Sequence, residues 1–146
     1  MIQGLNHITI AVSDLERSLH FYIEFLGFRL LAKWRFGAYL SAGEIWYCLN
    51  LEPAENMRPD SDSSHIAFSV LQSEFHSLRQ RVLHSGANTW KANSSEGDSL
   101  YFLDPDRHKL EIHVGNAQSR IAQMRREDWE GLELFSEDED SSVQSK

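Results

Sequence analysis

His7, His65 and Glu111 each combine a ligand-forming side chain with a place on a strand-like run. The two histidines hold the same position in closely similar runs, N-H-I-T-I-A-V and S-H-I-A-F-S-V. Glu111 stands in K-L-E-I-H-V, amid apolar neighbours. A carboxylate there has to meet a charge, a proton or a metal, because desolvating an unpaired one is very costly. Two imidazoles and one carboxylate on rigid strands make a facial triad with open coordination positions, a set that suits Mn2+, Fe2+ or Zn2+. Open positions favour Lewis-acid chemistry on a bound oxygen. His113 shares a strand face with Glu111 by period two, which makes it the rival ligand or a supporting partner. His20, His76 and His84 fall in helical segments and read as solvated, and His108 falls in a turn.

A second group of residues suits an anion. Lys91, the serines of the polar loop N-S-S-E-G-D-S (residues 93–99), Tyr101 and Arg120 offer two cations and several hydroxyls to a small oxyanion such as a phosphonate. Period two places Thr9 with His7, Ser99 with Tyr101, Lys91 with Asn93, and Trp46 with Cys48. Each residue alone has an ordinary reading: Lys91 a solvated strand cation, Arg120 a surface helix residue, Trp46 a core aromatic. Cys48, inside the apolar run 45–51, reads as a small core thiol rather than a nucleophile.

The elements that must position these residues repeat. Residues 5–12 alternate and read as a strand, and Asp14 caps a helix over 15–26, whose Leu15, Leu19, Tyr22 and Leu26 share a face. Gly27 stops that helix, and strand-like segments follow at 28–35, 38–41 and 45–51. Residues 52–64 are polar, contain Pro53 and Pro59, and read as a linker. The grammar then restarts: a strand at 64–70, a helix at 73–84 closed by Gly86, and strands at 87–92, 99–103 and 109–114. Strand, helix and three strands, twice over, predict an α+β fold of two similar modules. The divisions are module one at about 1–53, linker 54–63, module two 64–115 and a last helix at about 117–126. Residues 1–134 make one domain, and the acidic tail 135–146 has a disordered composition.

Composition bounds the function. At 146 residues, 41% hydrophobic and 25% charged, the chain has the make-up of a soluble globular domain. A net charge of −8 argues against nucleic acid as a partner. No apolar run approaches the ~20 residues that span a bilayer, and the start lacks a signal-peptide pattern. One cysteine excludes an internal disulfide and points to a reducing, cytoplasmic setting.

Several stretches resemble the vicinal oxygen chelate superfamily: G-L-N-H-I-T-I-A-V-S-D-L, G-A-Y-L, W-Y-C-L, S-H-I-A-F, and above all S-E-G-D-S-L-Y-F-L-D-P-D with L-E-I-H-V-G and the trailing S-R. Within it the chain is similar to the fosfomycin resistance proteins that use glutathione, over nearly all of residues 1–134. The resemblance implies paired βαβββ modules and a homodimer with modules exchanged between chains. His7 of one chain then meets His65 and Glu111 of the other at Mn2+. It implies that Thr9, Lys91, Ser95, Ser99, Tyr101 and Arg120 hold the phosphonate, with Trp46 against the oxirane. It implies a K+ site from Asn93, Ser95, Gly97 and Ser99 with Glu96 nearby, and a glutathione site near Trp34, Phe36 and Tyr39. No protein nucleophile is implied, because the sulfur comes from the cosubstrate.

Three positions depart from the family pattern. Ser63 replaces a tyrosine, Ser94 an arginine, and Phe36 a polar residue; the last two fall at the implied thiol site. Related hydrolases use a glutamate base where this chain has Gly37, and Glu44 falls in a turn, which disfavours water as the nucleophile. The other readings are epoxide hydration, transfer of another thiol, Fe2+-dependent ring cleavage, and a drug-binding dimer without catalysis. Ring cleavage needs no phosphonate clamp, and a drug-binding dimer needs no metal triad.

Overall fold

The computed structural model describes residues 5–57 and 65–134. Ser63, linker residues 58–62 and the acidic tail 135–146 lie outside the described residues.

Strand β1 (His7–Val12) follows its alternation: Ile10 and Val12 are buried, while His7 and Thr9 lie exposed on the other face. Asp14 caps α1 (Leu15–His20), its carboxylate accepting the Arg17 N–H at 3.0 Å. The helix widens into a π-helical turn, Phe21–Phe25, and ends at Gly27, whose φ of +75° suits a residue without Cβ. Strands β2 (Arg29–Trp34), β3 (Gly37–Ala42) and β4 (Ile45–Leu51) complete module one. Residues 54–56, expected in a linker, form a single 3₁₀ turn.

Module two repeats the plan with β5 (Ile66–Ser69), α2 (Gln72–His84), β6 (Thr89–Lys91), β7 (Ser99–Leu103) and β8 (Lys109–His113). Helix α3 (Ala117–Met124) follows, its start fixed by a reciprocal capping box between Asn116 and Ser119. The sheets are ordered β1-β4-β3-β2 and β5-β8-β7-β6, so each module's first strand is an edge strand paired in parallel with its last. The fold is α+β with paired βαβββ modules. Strand β5 begins after His65, and β6 ends at Lys91, so Asn93 stands in the following loop and not on the strand face expected for it.

One continuous apolar core joins the modules. It runs from Ile10, Leu19, Tyr22 and Leu49 to Phe75, Val82, Phe102 and Leu110. Each such side chain contributes about 1.5–3 kcal/mol when fully buried. Phe28 and Tyr47 pack edge-on against Phe68 of module two, with ring centres at 5.2 and 5.9 Å. A polar pin crosses the same junction. Tyr22 donates to Asp104 Oδ2 at 2.8 Å, Ser13 N–H donates to Asp106 at 3.0 Å, and His108 Nε2 donates to the Ala11 carbonyl at 2.5 Å. Burial pushes Asp104 above the ordinary carboxylate range, partly offset by His108, the Tyr22 hydroxyl and backbone N–H groups. Among the described residues no helix is long and apolar enough to cross a membrane.

Candidate active site

The face of the second sheet turned away from α2 gathers the chemistry. Alternation sends Leu110 and Ile112 of β8 to the core and leaves Glu111 and His113 on the other side, level with Tyr101 and Ser99 of β7. His65, two residues before Ala67, lies on that same face, because Ala67 pairs with Glu111. Glu111 is only 6% exposed, so its partners decide its state. His65 Nε2 stands 3.0 Å from its Oε2, and Ser99 Oγ donates to its Oε1 at 2.7 Å. With that hydroxyl proton committed, His113 Nδ1 is the donor to Ser99 Oγ at 2.7 Å. His113 thus supports the carboxylate through Ser99, its own nitrogen remaining 3.6 Å from Glu111.

The edge strand β6 reaches this face through a bulge. Thr89 pairs with Phe102 but Lys91 pairs with Tyr101, so Trp90 is an extra residue in the ladder. The bulge turns Lys91 onto the site face, with Nζ 5.0 Å from the centre of the Tyr101 ring. Burial raises the Tyr101 phenol above its ordinary value, and the Glu111 charge adds to the effect. Tyr101 therefore remains a hydrogen-bond donor at neutral pH.

The polar loop after β6 is an oxygen-rich cluster. Ser95 Oγ lies 2.7 Å from Asn93 Oδ1, 3.3 Å from the Gly97 carbonyl and 3.0 Å from Ser99 Oγ. A Cβ on Gly97 would stand 1.8 Å from the Val114 carbonyl, so only glycine lets the loop pack against the end of β8. Glu96 ties the loop to α3: Arg120 Nη1 is 2.9 Å from Oε2, and Ser119 Oγ is 3.2 Å from Oε1. Burial alone would raise Glu96, but its own backbone N–H, the Ser119 hydroxyl, Arg120 and His113 together hold it below its ordinary range. Oε2 is buried and has no aligned hydrogen-bond donor; Arg120 meets it as an ion pair. Arg120 is thus engaged with Glu96 and Gln123 and does not reach the Glu111 cluster as part of it.

The first sheet carries the rest of the expected set on its own outward face. His7 is level with Trp46, and Thr9 and Tyr39 are level with Cys48. His7, Trp46, Tyr39 and Trp34 form a ladder of rings at 4.6, 5.0 and 4.8 Å between successive centres. Trp34, Tyr39 and Trp46 are 40%, 36% and 37% exposed, a large aromatic area left open in a single chain. Trp46 is therefore not the core aromatic of its ordinary reading, whereas Cys48 is buried. Phe36 lies exposed at the turn before β3 beneath the Arg35 guanidinium, and Ser94 is exposed in the polar loop. Trp34 covers Gly37: a Cβ there would stand 2.6 Å from both the indole and the Leu49 carbonyl.

One chain therefore brings His65 and Glu111 together, and among its described residues no third His, Cys, Asp or Glu completes a metal-binding group with them. The atoms facing each other, an imidazole nitrogen and a carboxylate oxygen, are the donor types of a divalent-metal site, so this half fits a metal. Trp90 was not visible as a site residue, because period two sends it to the face opposite Lys91 and nothing in T-W-K announces a bulge.

Paired βαβββ modules with a histidine at the start of the first strand in one and just before it in the other, and a carboxylate on the last strand of the second, define a class. The family model of the Glyoxalase/Bleomycin resistance protein/Dioxygenase superfamily matches residues 4–112, and the chain belongs to that superfamily. More particularly, the chain is 48% identical over 141 residues to the glutathione transferase FosA of Serratia marcescens, covering 95% of this chain and 99% of that protein. It is 35% identical over 127 residues to the metallothiol transferase FosB of Shouchella clausii, covering 84% and 87%. A mutant of the fosfomycin resistance protein FosX from Listeria monocytogenes, solved with Mn(II) and 1S,2S-dihydroxypropylphosphonic acid, superposes with a TM-score of 0.76. That match is at 25% identity and spans 85% of this chain and 99% of FosX.

Proposed function

We propose that this protein is a metal-dependent thiol transferase that opens the epoxide of fosfomycin with glutathione and so confers resistance to the drug. The observation that carries the reading is the buried Glu111, paired with His65 on a face that also presents Lys91 and Tyr101. The 48% identity to a glutathione transferase FosA supports the choice of reaction and thiol.

The two half-sites argue for a homodimer with modules exchanged. His65 and Glu111 face one way from sheet two, while His7 stands on the open aromatic face of sheet one. Setting sheet one of one copy against sheet two of another completes the triad and covers the exposed rings. His7, His65 and Glu111 then hold the divalent ion, which supplies Lewis-acid charge to the oxygens of the bound substrate. Mn2+ is the ion bound in the FosX structure, and Fe2+ or Zn2+ fit the same donors.

The chain's own groups bind and orient. Lys91 and the Tyr101 hydroxyl, with Thr9, Ser95 and Arg120, hold the phosphonate through charge and donated hydrogen bonds, and Ser99 joins them when its proton turns from Glu111 to the substrate. Arg120 must exchange part of its contact with Glu96 to do so. The oxygens of Asn93, Ser95, Gly97 and Ser99, in the loop that also carries Glu96, fit K+, which adds positive charge near a dianion. Trp46 walls the oxirane, and Trp34, Phe36 and Tyr39 line the approach of the thiol. The glutathione thiolate forms a C–S bond as the ring C–O bond breaks, and the resulting alkoxide takes a proton. No side chain acts as nucleophile.

A second reading is hydration, because the FosX complex contains a diol. Gly37, crowded by Trp34 and the Leu49 carbonyl, leaves no room for a glutamate base at that position. Phosphorus NMR of fosfomycin with protein and Mn2+ separates the readings, run with glutathione, with cysteine, and with water alone. A glutathione adduct is expected; adduct with cysteine alone would reassign the thiol, diol in water would make the protein a hydrolase, and unchanged drug in every tube would refute the chemistry.

A further inference from the structure

The bulged residue of β6 makes contacts that an edge-strand tryptophan does not need for packing alone. The Trp90 indole crosses the face of sheet two, its centre 5.5 Å from that of the His65 imidazole and 5.2 Å from that of Tyr101. Its Nε1–H donates to the Leu110 carbonyl at 3.3 Å, one residue before Glu111. On the indole face, Lys109 Nζ lies 5.3 Å from the ring centre. A bulge frees its extra residue from the ladder and re-aims the side chain, and here the aim is at the His65 ring and at the backbone one residue before Glu111.

We propose that Trp90 is a positioning residue for the metal-binding pair: its indole fixes the plane of the His65 ring and ties the bulged edge strand to the backbone that bears Glu111. The inference rests on the reading of His65 and Glu111 as metal ligands. His65 stands just before β5, at the end of the parallel ladder, whereas Glu111 lies within it. An imidazole turns about two side-chain torsions, and a flat wall on one side narrows that rotation before any ion arrives. Groups that orient a ligand in this way change metal affinity by roughly 10–100-fold when removed. Tyr101, touched by the same indole, is held in place with them, so the wall also sets the phenol that faces the phosphonate.

The test uses the full-length protein and Mn2+ alone, with binding followed by the electron paramagnetic resonance signal of the free ion and thermal midpoints measured beside it. Trp90→Phe keeps an aromatic wall but loses the N–H tie and the second ring, so it should bind Mn2+ more tightly than Trp90→Leu, which should bind at least about 10-fold more weakly than the unaltered protein. His65→Ala is the reference for loss of a ligand. If Trp90→Leu binds Mn2+ as tightly as the unaltered protein while His65→Ala does not, the role of Trp90 is refuted and the ligand assignment stands. If Phe and Leu weaken binding equally, in step with equal losses of thermal midpoint, Trp90 only fills space and the inference fails. Tight binding by His65→Ala would overturn the ligand assignment itself, and the inference with it.

Discussion

His65 Nε2 and Glu111 Oε2 stand 3.0 Å apart across a parallel strand pair, bringing together residues 46 positions apart in sequence. In one chain the imidazole and the carboxylate satisfy each other. Both atoms are donor types that suit a divalent ion.

Glu111→Gln preserves shape and removes the charge. The variant should fold with a thermal midpoint close to that of the parent and, with Glu111 in its proposed role as a ligand, lose Mn2+ affinity and turnover by at least about 100-fold. Calorimetric titration with Mn2+ and the rate of fosfomycin loss measure both. A variant with near-normal binding would remove Glu111 from the metal site.

Asp104 is the centre of the pin between modules. It accepts from Tyr22 and from the backbone N–H groups of Asp106 and His108. Asp104→Ala removes the acceptor of two part-buried backbone N–H groups and of the buried Tyr22 hydroxyl, which keeps Tyr47 as a neighbour, and should cost about 2–3 kcal/mol, lowering the thermal midpoint by roughly 5–10 °C. Asp104→Asn can keep the two backbone bonds and reverse the third, so it should cost less than half as much. Urea unfolding of the pair checks this; equal losses would show that charge, not hydrogen bonding, matters there.

Glu96 sets a pH dependence whose sign is fixed. Its carboxyl titrates below its ordinary value of 4.5 in the folded chain, so the unfolded chain takes up the proton first as pH falls. Its stabilising contribution is complete above the unfolded value and is lost as pH drops through the lower, folded one. The stability gap between the parent and Glu96→Gln should therefore be constant between neutrality and pH ~5, then shrink under more acid conditions. Urea midpoints measured across that range test it; a gap that widened in acid would contradict the assignment.

The paired modules were legible because the repeat is written in the apolar spacing, and the repeat in turn singled out His7 and His65. Glu111 was legible as a carboxylate in an apolar strand, and its burial follows from the alternation of Leu110 and Ile112. The D-P-D-R-H turn gave no such signal. Asp104, Asp106 and His108 act through Tyr22, Ser13 and Ala11, about 80 to 100 residues distant in sequence, and no local pattern encodes those meetings. Trp90 was hidden for a different reason: a bulge shifts register by one residue and inverts every face assignment made by counting. The same shift at β2, between Leu30 and Ala32, brings Trp34 level with Gly37 and beside Tyr39. The K+ loop was implied by the family resemblance alone, whereas Arg120 was legible as a cation for an oxyanion, and its ion pair with Glu96 was not.

The division of the metal site between two copies is tested most directly by mixing inactive variants. His7→Ala and Glu111→Gln should each be inactive alone. Unfolded together in equal amounts and refolded, half of the dimers should pair one of each and carry one intact site of two, returning about a quarter of the parental activity. No recovery from dimers shown to have mixed would contradict the account, because it would mean that each triad belongs to a single chain.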